Sequence, residues 1–191
     1  MRIIAGTLKG RRLEAPDWPG LRPTSDKLRE TLFNVLAPRI RGARVLDGYA
    51  GTGAVGIEAL SRGAAHVTFI ERDPRAVALI EANLRHCGVT DRYAIIRASF
   101  AGTTRPAGDG GFDLIFLDPP YHAGELHGAL AAAEPLVADG TLLVIEHAAR
   151  DPAPEQAGTL LRSRELTSGD SALAFYARGA RKAQGTADRA S

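Results

Sequence analysis

Apolar residues gather in five short runs, at 43–47, 66–71, 92–97, 112–117 and 140–146, each rich in Val, Ile, Leu or Phe. Runs of this length, bounded by Gly, Asp or Pro, read as buried strands. Segments 54–62, 74–87 and 123–138 lie between them and read as helices, so the alternation predicts an α/β architecture. The third gap, Ser99 to Gly111, is Gly-rich and reads as a loop or a broken helix. After Glu146-His147 comes a Pro-rich bend. Thr159–Thr167 and Ser171–Arg178 then form a hairpin across Ser168-Gly169-Asp170. The expected fold is an open, mainly parallel seven-stranded sheet with an antiparallel C-terminal hairpin strand near its edge.

The segment before the first strand has a different pattern. Arg2–Ala5 and Arg11–Leu13 flank Gly6-Thr7-Leu8-Lys9-Gly10 as a short basic hairpin. Pro16 to Pro23 is a turn-rich linker, and its Trp18 reads as a plug at a core edge. Thr24-Ser25-Asp26 starts a helix. Leu28, Leu32, Val35 and Leu36 share one face of it and predict that it packs on the domain. The chain thus divides into a basic hairpin-and-helix extension (1–40), a main α/β domain (41–180) and a flexible tail (181–191).

Two motifs carry the chemistry. Val45-Leu46-Asp47 runs into Gly48-Tyr49-Ala50-Gly51-Thr52-Gly53-Ala54-Val55-Gly56, a strand, a glycine turn and a helix start. G-x-G-x-x-G usually places a phosphate at a helix N-terminus. Asp47 argues against that here, because its carboxylate points into the same pocket and would repel a pyrophosphate. It would attract an ammonium or a sulfonium. Glu71 ends the second strand, where an acid can accept hydrogen bonds from ribose hydroxyls. Asp73-Pro74 reads as a helix N-cap and first turn. The second motif, Asp118-Pro119-Pro120-Tyr121, ends the fourth strand. The two prolines stiffen an extended turn. One carboxylate and fixed backbone carbonyls form an acceptor cluster suited to an amine on a planar ring, and Tyr121 offers that ring a face. Right-handed crossovers bring both motifs to one edge of the sheet. His122 reads as a solvent-facing loop residue.

At 191 residues the chain is one domain with room for a full core. A single cysteine, Cys87, excludes an internal disulfide and a cysteine-based zinc site, and reads as an inert thiol. No metal-ligand cluster is evident, and nothing demands more than a monomer. No apolar stretch approaches a membrane span, and the N-terminus lacks a signal-peptide core, so a cytoplasmic protein is expected. The net charge of +2 is unevenly spread: +6 over residues 1–44, −7 over 45–176 and +3 from Ala177 onward. The basic N-terminal segment is where a polyanion would be gripped, with Lys9, Arg11, Arg12 and Arg22 as candidate phosphate contacts.

From Arg2 to about Arg178 the chain resembles the RsmD family of class I (Rossmann-like) methyltransferases. The residues that carry the resemblance are Arg2–Gly6 with Gly10–Leu13, then Leu21-Arg22-Pro23-Thr24-Ser25-Asp26 with Lys27-Leu28-Arg29-Glu30-Thr31-Leu32-Phe33-Asn34. Asp47–Gly56, Ala59–Ala64 and Asp118–Tyr121 complete it. The resemblance implies transfer of a methyl group from S-adenosylmethionine to the N2 amine of a guanine in 16S rRNA. The substrate would be the 30S subunit or an assembly intermediate. It implies that Asp47 and the Gly51–Gly53 backbone hold the methionine part of the cofactor and that Glu71 holds the ribose. Tyr49, Thr52 and Arg72 complete the cofactor set. Asp118 and the Pro119 carbonyl would hold the amine, Pro120 would stiffen the turn, and Tyr121 would stack on the base. Two positions depart from the pattern. Ser99, followed by Phe100, stands where an Asp or Asn usually meets adenine, and Gly48 replaces a larger apolar residue. A DNA adenine-N6 methyltransferase could use the same turn, and an NAD-dependent oxidoreductase the same glycine loop. A non-catalytic RNA-binding module with a degenerate pocket is the third alternative.

Overall fold

A computed structural model gives the structure over residues 1–18, 26–103, 111–122 and 124–179. Arg22, the Thr24-Ser25 helix start and the tail lie outside these described residues. In chain order the elements are α1 (Asp26–Ile40), β1 (Arg44–Asp47), α2 (Ala54–Ser61), β2 (His66–Glu71), α3 (Pro74–His86), β3 (Tyr93–Arg97), β4 (Leu114–Leu117) and α4 (Glu125–Ala133). They continue with β5 (Leu142–Ala148), β6 (Gln156–Ala157), β7 (Leu160–Ser168) and β8 (Ser171–Arg178).

The strands form one sheet in the order β3-β2-β1-β4-β5-β8-β7-β6. β1 to β5 pair in parallel, and the last three strands join antiparallel. All seven expected strands are present. The eighth, β6, is a two-residue edge strand too short to leave a periodic signal. α4 ends earlier than the apolar pattern suggested. Pro135 cannot donate to the helix ladder, and Glu134–Leu136 tighten into a 3₁₀ turn instead.

The central strands are buried on both faces, which is why their sequences run apolar without alternation. Val45, Leu114 and Phe116 face a core shared with α1 and α2, built around Leu32, Phe33, Ile57 and Phe69. Leu46, Ile115 and Leu117 face the opposite core, with Leu130 of α4 and Tyr176 of β8. As expected, α1 buries Leu28, Leu32 and Leu36. It also buries Arg29 completely, donating to the Arg2 carbonyl at 2.7 Å and to Asp26 at 2.6 Å.

The N-terminal hairpin forms, with Arg2 opposite Arg12 and Ile3 bonded to Arg11 and Gly10. It is riveted to α2. Buried Glu58 accepts the Ile4 and Ala5 N–H groups at 2.7 and 3.0 Å and pairs with Arg62 at 2.7 Å. Ser61 Oγ donates to the Ala5 carbonyl and accepts the Leu8 N–H. A carboxylate this deep is tolerated because it is charge-paired and its lone pairs are filled. The approach is close enough that a Cβ on Gly6 would lie 2.0 Å from the Ser61 carbonyl oxygen.

Gly6 and Gly10 have nearly the same left-handed backbone, φ +82 and +83, but a Cβ on Gly10 meets nothing within 4 Å. Gly10→Ala should therefore cost only the left-handed penalty of about 1–2 kcal/mol. Gly6→Ala should cost at least about 2 kcal/mol more, because it must push the hairpin off a helix backbone. Urea unfolding of the two variants checks this, and equal losses would mean the hairpin is not seated on α2.

Candidate active site

β1, β2, β4 and β5 all point their C-terminal ends at one cleft of about 870 Å³. Its lining includes Asp47, the glycine turn, Glu71, Ser99, Phe100, Arg72 and the Asp118–His122 turn. The two sequence motifs therefore meet, as the crossover argument required. Among the described residues seven acids line it, Asp47, Glu71, Asp73, Asp118, Glu125, Glu146 and Asp170, against Arg72 and Arg75.

Asp47 is almost fully buried and accepts the Gly56 N–H at 3.0 Å. Burial pushes its carboxyl up to about 7; the Gly56 hydrogen bond opposes this, and the nearby Glu71 charge adds to it. Glu71 is fixed by backbone donors: Gly51 N–H at 2.9 Å, Arg72 N–H at 2.8 Å and Asp73 N–H at 2.9 Å. It ties the glycine turn to the end of β2. Asp73 caps α3 through the Arg75 N–H at 2.8 Å, and Pro74 follows as expected.

Thr52 is buried, and its carbonyl accepts Asn83 Nδ2 at 3.0 Å. The half-buried Tyr49 ring lies 5.3 Å from Phe100, tilted by 41°. Gly48, one of the two departures from the family pattern, has a structural reason in Phe100, which follows the other. A Cβ on Gly48 would lie 2.8 Å from the Phe100 ring and 2.4 Å from Leu117, so the missing side chain makes room for Phe100. Phe100 is thereby buried, and Ser99 beside it is exposed.

At the other end of the cleft Asp118 is partly buried, Pro119 buried and Pro120 exposed. The Pro120 carbonyl accepts the His122 N–H at 2.8 Å, closing a tight turn. Tyr121 keeps its ring 39% exposed, while its hydroxyl donates to Glu146 Oε1 at 2.8 Å and meets Ser171 Oγ at 3.0 Å. Burial raises the Tyr121 hydroxyl well above its usual value; the Ser171 contact opposes this, and the Glu146 and Asp118 charges add to it. It remains a neutral donor.

Two residues were misplaced or missed. Trp18 does not plug a core edge: it lines the cleft, with the Arg75 guanidinium 5.1 Å from its ring centroid. Glu146 was passed over: it lies inside β5, two residues before its end, and lines the cleft, whereas Asp47 and Glu71 close their strands. His122 is exposed, and Cys87 is a buried, free thiol whose burial raises its pKa. Lys9, Arg11 and Arg12 are exposed on the hairpin, outside the cleft lining. Arg11 also donates to the His86 carbonyl at the end of α3. No His/Cys/Asp/Glu cluster suited to a metal occurs among the described residues, and no helix there is long and apolar enough to cross a membrane.

A Rossmann-like sheet, an acid beside the glycine turn and the Asp118–Tyr121 turn on the neighbouring strand fit the methyltransferase class. The family profile described as Conserved hypothetical protein 95 matches residues 1–177, and the chain belongs to that family, the RsmD family. It is 37% identical over 195 residues to the Ribosomal RNA small subunit methyltransferase D of Escherichia coli strain K12, covering 98% of this chain and 93% of that one. The Haemophilus influenzae protein of the same name is 44% identical over 124 residues, 64% of each chain. The solved structure of Escherichia coli yhhF superposes with a TM-score of 0.81 at 35% identity, covering 95% of this chain and 99% of that one.

The donor set fits S-adenosylmethionine: a buried carboxylate with no cation beside it among the described residues, in an acid-lined cleft, suits a cationic ligand and would repel a dinucleotide pyrophosphate. The folded pKa of Asp47, about 7, lies above its ordinary 3.8. The folded state therefore keeps a proton that the unfolded chain releases. Stability from this group is full below about pH 4 and is lost as pH rises to about 7. Ligand affinity should run the other way, rising by up to about tenfold per pH unit towards pH 7 and levelling above it. Asp47→Asn keeps an acceptor for Gly56 and should flatten both profiles. Calorimetric titration and urea unfolding at pH 5.5 and 8 provide the check.

Proposed function

We propose that this protein transfers a methyl group from S-adenosylmethionine to the N2 amine of a guanine in 16S ribosomal RNA, in the small subunit or an assembly intermediate. The observation that carries the reading is the shared cleft: the Asp118–Tyr121 turn opens onto the same space as Asp47 and the glycine turn. The family membership, and the names of the relatives from Escherichia coli and Haemophilus influenzae, support ribosomal RNA as the substrate. The choice of guanine N2 rests on the resemblance to the RsmD family.

When bound, S-adenosylmethionine supplies an electrophilic methyl group on a sulfonium. The carboxylate of Asp47 and the N–H groups of the glycine turn would hold its methionine part. Glu71 would hold the ribose, with Tyr49, Thr52 and Arg72 around it and Ser99 and Phe100 near the adenine. The amine of guanine is a weak nucleophile because its lone pair is delocalised into the ring. Asp118 and the Pro119 carbonyl accept its two N–H bonds and favour a pyramidal nitrogen with a localised lone pair. Asp118 then stabilises the positive charge that develops on that nitrogen. The extra proton leaves to solvent afterwards, so no strong base is needed. The base must be out of its stack to reach the turn, and the Tyr121 ring replaces that stacking.

Labelled S-adenosylmethionine and 30S particles lacking guanine-N2 methylation test the reading. The wild type should form N2-methylguanine, and Asp118→Ala should lower kcat by at least about a hundredfold. Label entering duplex DNA as N6-methyladenine instead would favour the DNA enzyme. Lys9 and Arg12 are the cleaner probes of RNA contact, since Arg11 also caps α3. Replacing both with Ala should weaken RNA binding and reduce the slope of log affinity against log salt by about 1.4. Cofactor affinity should not change; an equal fall there would make the hairpin purely structural.

A further inference from the structure

Trp18 is the chain's one tryptophan, and the mechanism above gives it no role. It belongs to the N-terminal segment, yet it is half-buried and lines the cleft. Two sets of contacts put it there. Four residues earlier in the chain, the Glu14 N–H donates to Asn83 Oδ1 at 2.7 Å. Asn83 Nδ2 donates to the Glu14 carbonyl at 3.3 Å and to the Thr52 carbonyl at 3.0 Å. The segment leading to Trp18 is thus tied to α3 and to the glycine turn. The indole itself carries the Arg75 guanidinium over its ring, 5.1 Å from the centroid. Arg75 is held in turn by Asp73, whose Oδ2 accepts Nη2 at 2.7 Å and Nε at 3.2 Å. Asp73 stands two residues after Glu71, so the indole is fixed at the corner where β2 leads into α3.

Resting on the S-adenosylmethionine reading of the cleft, we infer that Trp18 is a further cofactor-binding residue, whose indole packs against the adenosine half of S-adenosylmethionine. Glu71 is the acid assigned to the ribose, and the chain of contacts from Asp73 through Arg75 to Trp18 starts beside it. Adenosine is the flat half of the ligand, and an indole supplies a large, rigid surface for such a group. Arg75 takes one face of the indole, so the ligand meets the other face or the ring edge. A guanidinium near a cationic ligand would be repulsive if bare, and the Asp73 carboxylate beside it offsets that charge. Arg75 is thereby a positioning residue, and Trp18 the one that touches the ligand.

A lone tryptophan makes the test direct. S-adenosylhomocysteine has the same adenosine but no sulfonium charge, so it separates contact with the nucleoside from a cation–π contact with sulfur. Calorimetric titration gives the affinity of each ligand, and Trp18 emission, excited where tyrosine does not absorb, reads the contact. Both ligands should change the emission in step with binding. Trp18→Ala should weaken both by about tenfold or more, and Trp18→Phe, which keeps a ring, should recover most of the loss. Arg75→Met should weaken both by about threefold, through the lost hold on the indole. Emission that stays constant while calorimetry reports binding would overturn the inference, whether or not the variants fold. A loss confined to S-adenosylmethionine would put the indole at the sulfonium and overturn the adenosine assignment. Unchanged cofactor affinity in Trp18→Ala, with a raised KM for RNA, would make Trp18 an RNA contact and overturn it as well. No calorimetric binding of either ligand would bring down the cofactor reading itself, and this inference with it.

Discussion

Asp47 and Glu71, at the ends of adjacent strands, grip the glycine turn through backbone N–H groups, and the cleft takes its shape from that grip. Asp47 binds the start of α2 at Gly56, and Glu71 binds Gly51 and the first residues after β2. Neither carboxylate has a cation among its hydrogen-bond partners. The cost is visible in the raised pKa of Asp47. A cationic ligand relieves that cost, so the same burial that weakens the empty fold strengthens binding. An anionic ligand would worsen it, which is why a glycine turn of this form need not imply a dinucleotide site.

The N-terminal extension is fastened to the same helix that the glycine turn begins. Glu58 and Ser61 hold the hairpin against α2. Buried Asn83 of α3 accepts the Glu14 N–H at 2.7 Å and donates to the Thr52 carbonyl at 3.0 Å. Arg29 closes the arrangement by binding the Arg2 carbonyl from α1. The basic residues of the hairpin are thus set at a fixed distance from the cleft by buried polar contacts, which tolerate mismatch poorly. Asn83 alone among them touches both sides, joining the N-terminal segment at Glu14 to the glycine turn at Thr52.

Much of this was legible because parallel strands buried on both faces leave unbroken apolar runs, and because an acid closing such a run has nowhere to point except the cleft. The helix cap at Asp73-Pro74 and the N-terminal hairpin followed from local rules, and the convergence of the two motifs from the handedness of the crossovers. Glu58 was not legible: inside Ile57-Glu58-Ala59-Leu60 it resembles any surface acid of a helix, and the hairpin N–H groups it accepts lie more than 50 residues away. Asn83 and Arg29 were hidden for the same reason. The compensation between Gly48 and Phe100 requires knowing that two loops touch. Trp18 was misjudged because a lone aromatic in a linker carries no periodicity, and only the fold shows that Arg75 stands beside it.

The charge pattern poses a problem that the architecture answers. A cleft lined by seven acids among the described residues repels an RNA backbone, yet the proposed substrate must enter it. A nucleobase is neutral, so a flipped guanine can enter while its phosphates stay outside. The acceptor groups around the turn suit the donor edge of a base and repel a phosphate, which is itself an acceptor. Affinity must come from elsewhere on the surface, and Lys9, Arg11 and Arg12 of the basic N-terminal segment are exposed on the hairpin, outside the cleft lining. On the proposed reading, grip and chemistry are separated in space and sign: positive side chains would hold the strand, and negative ones the amine and the cation that reacts with it.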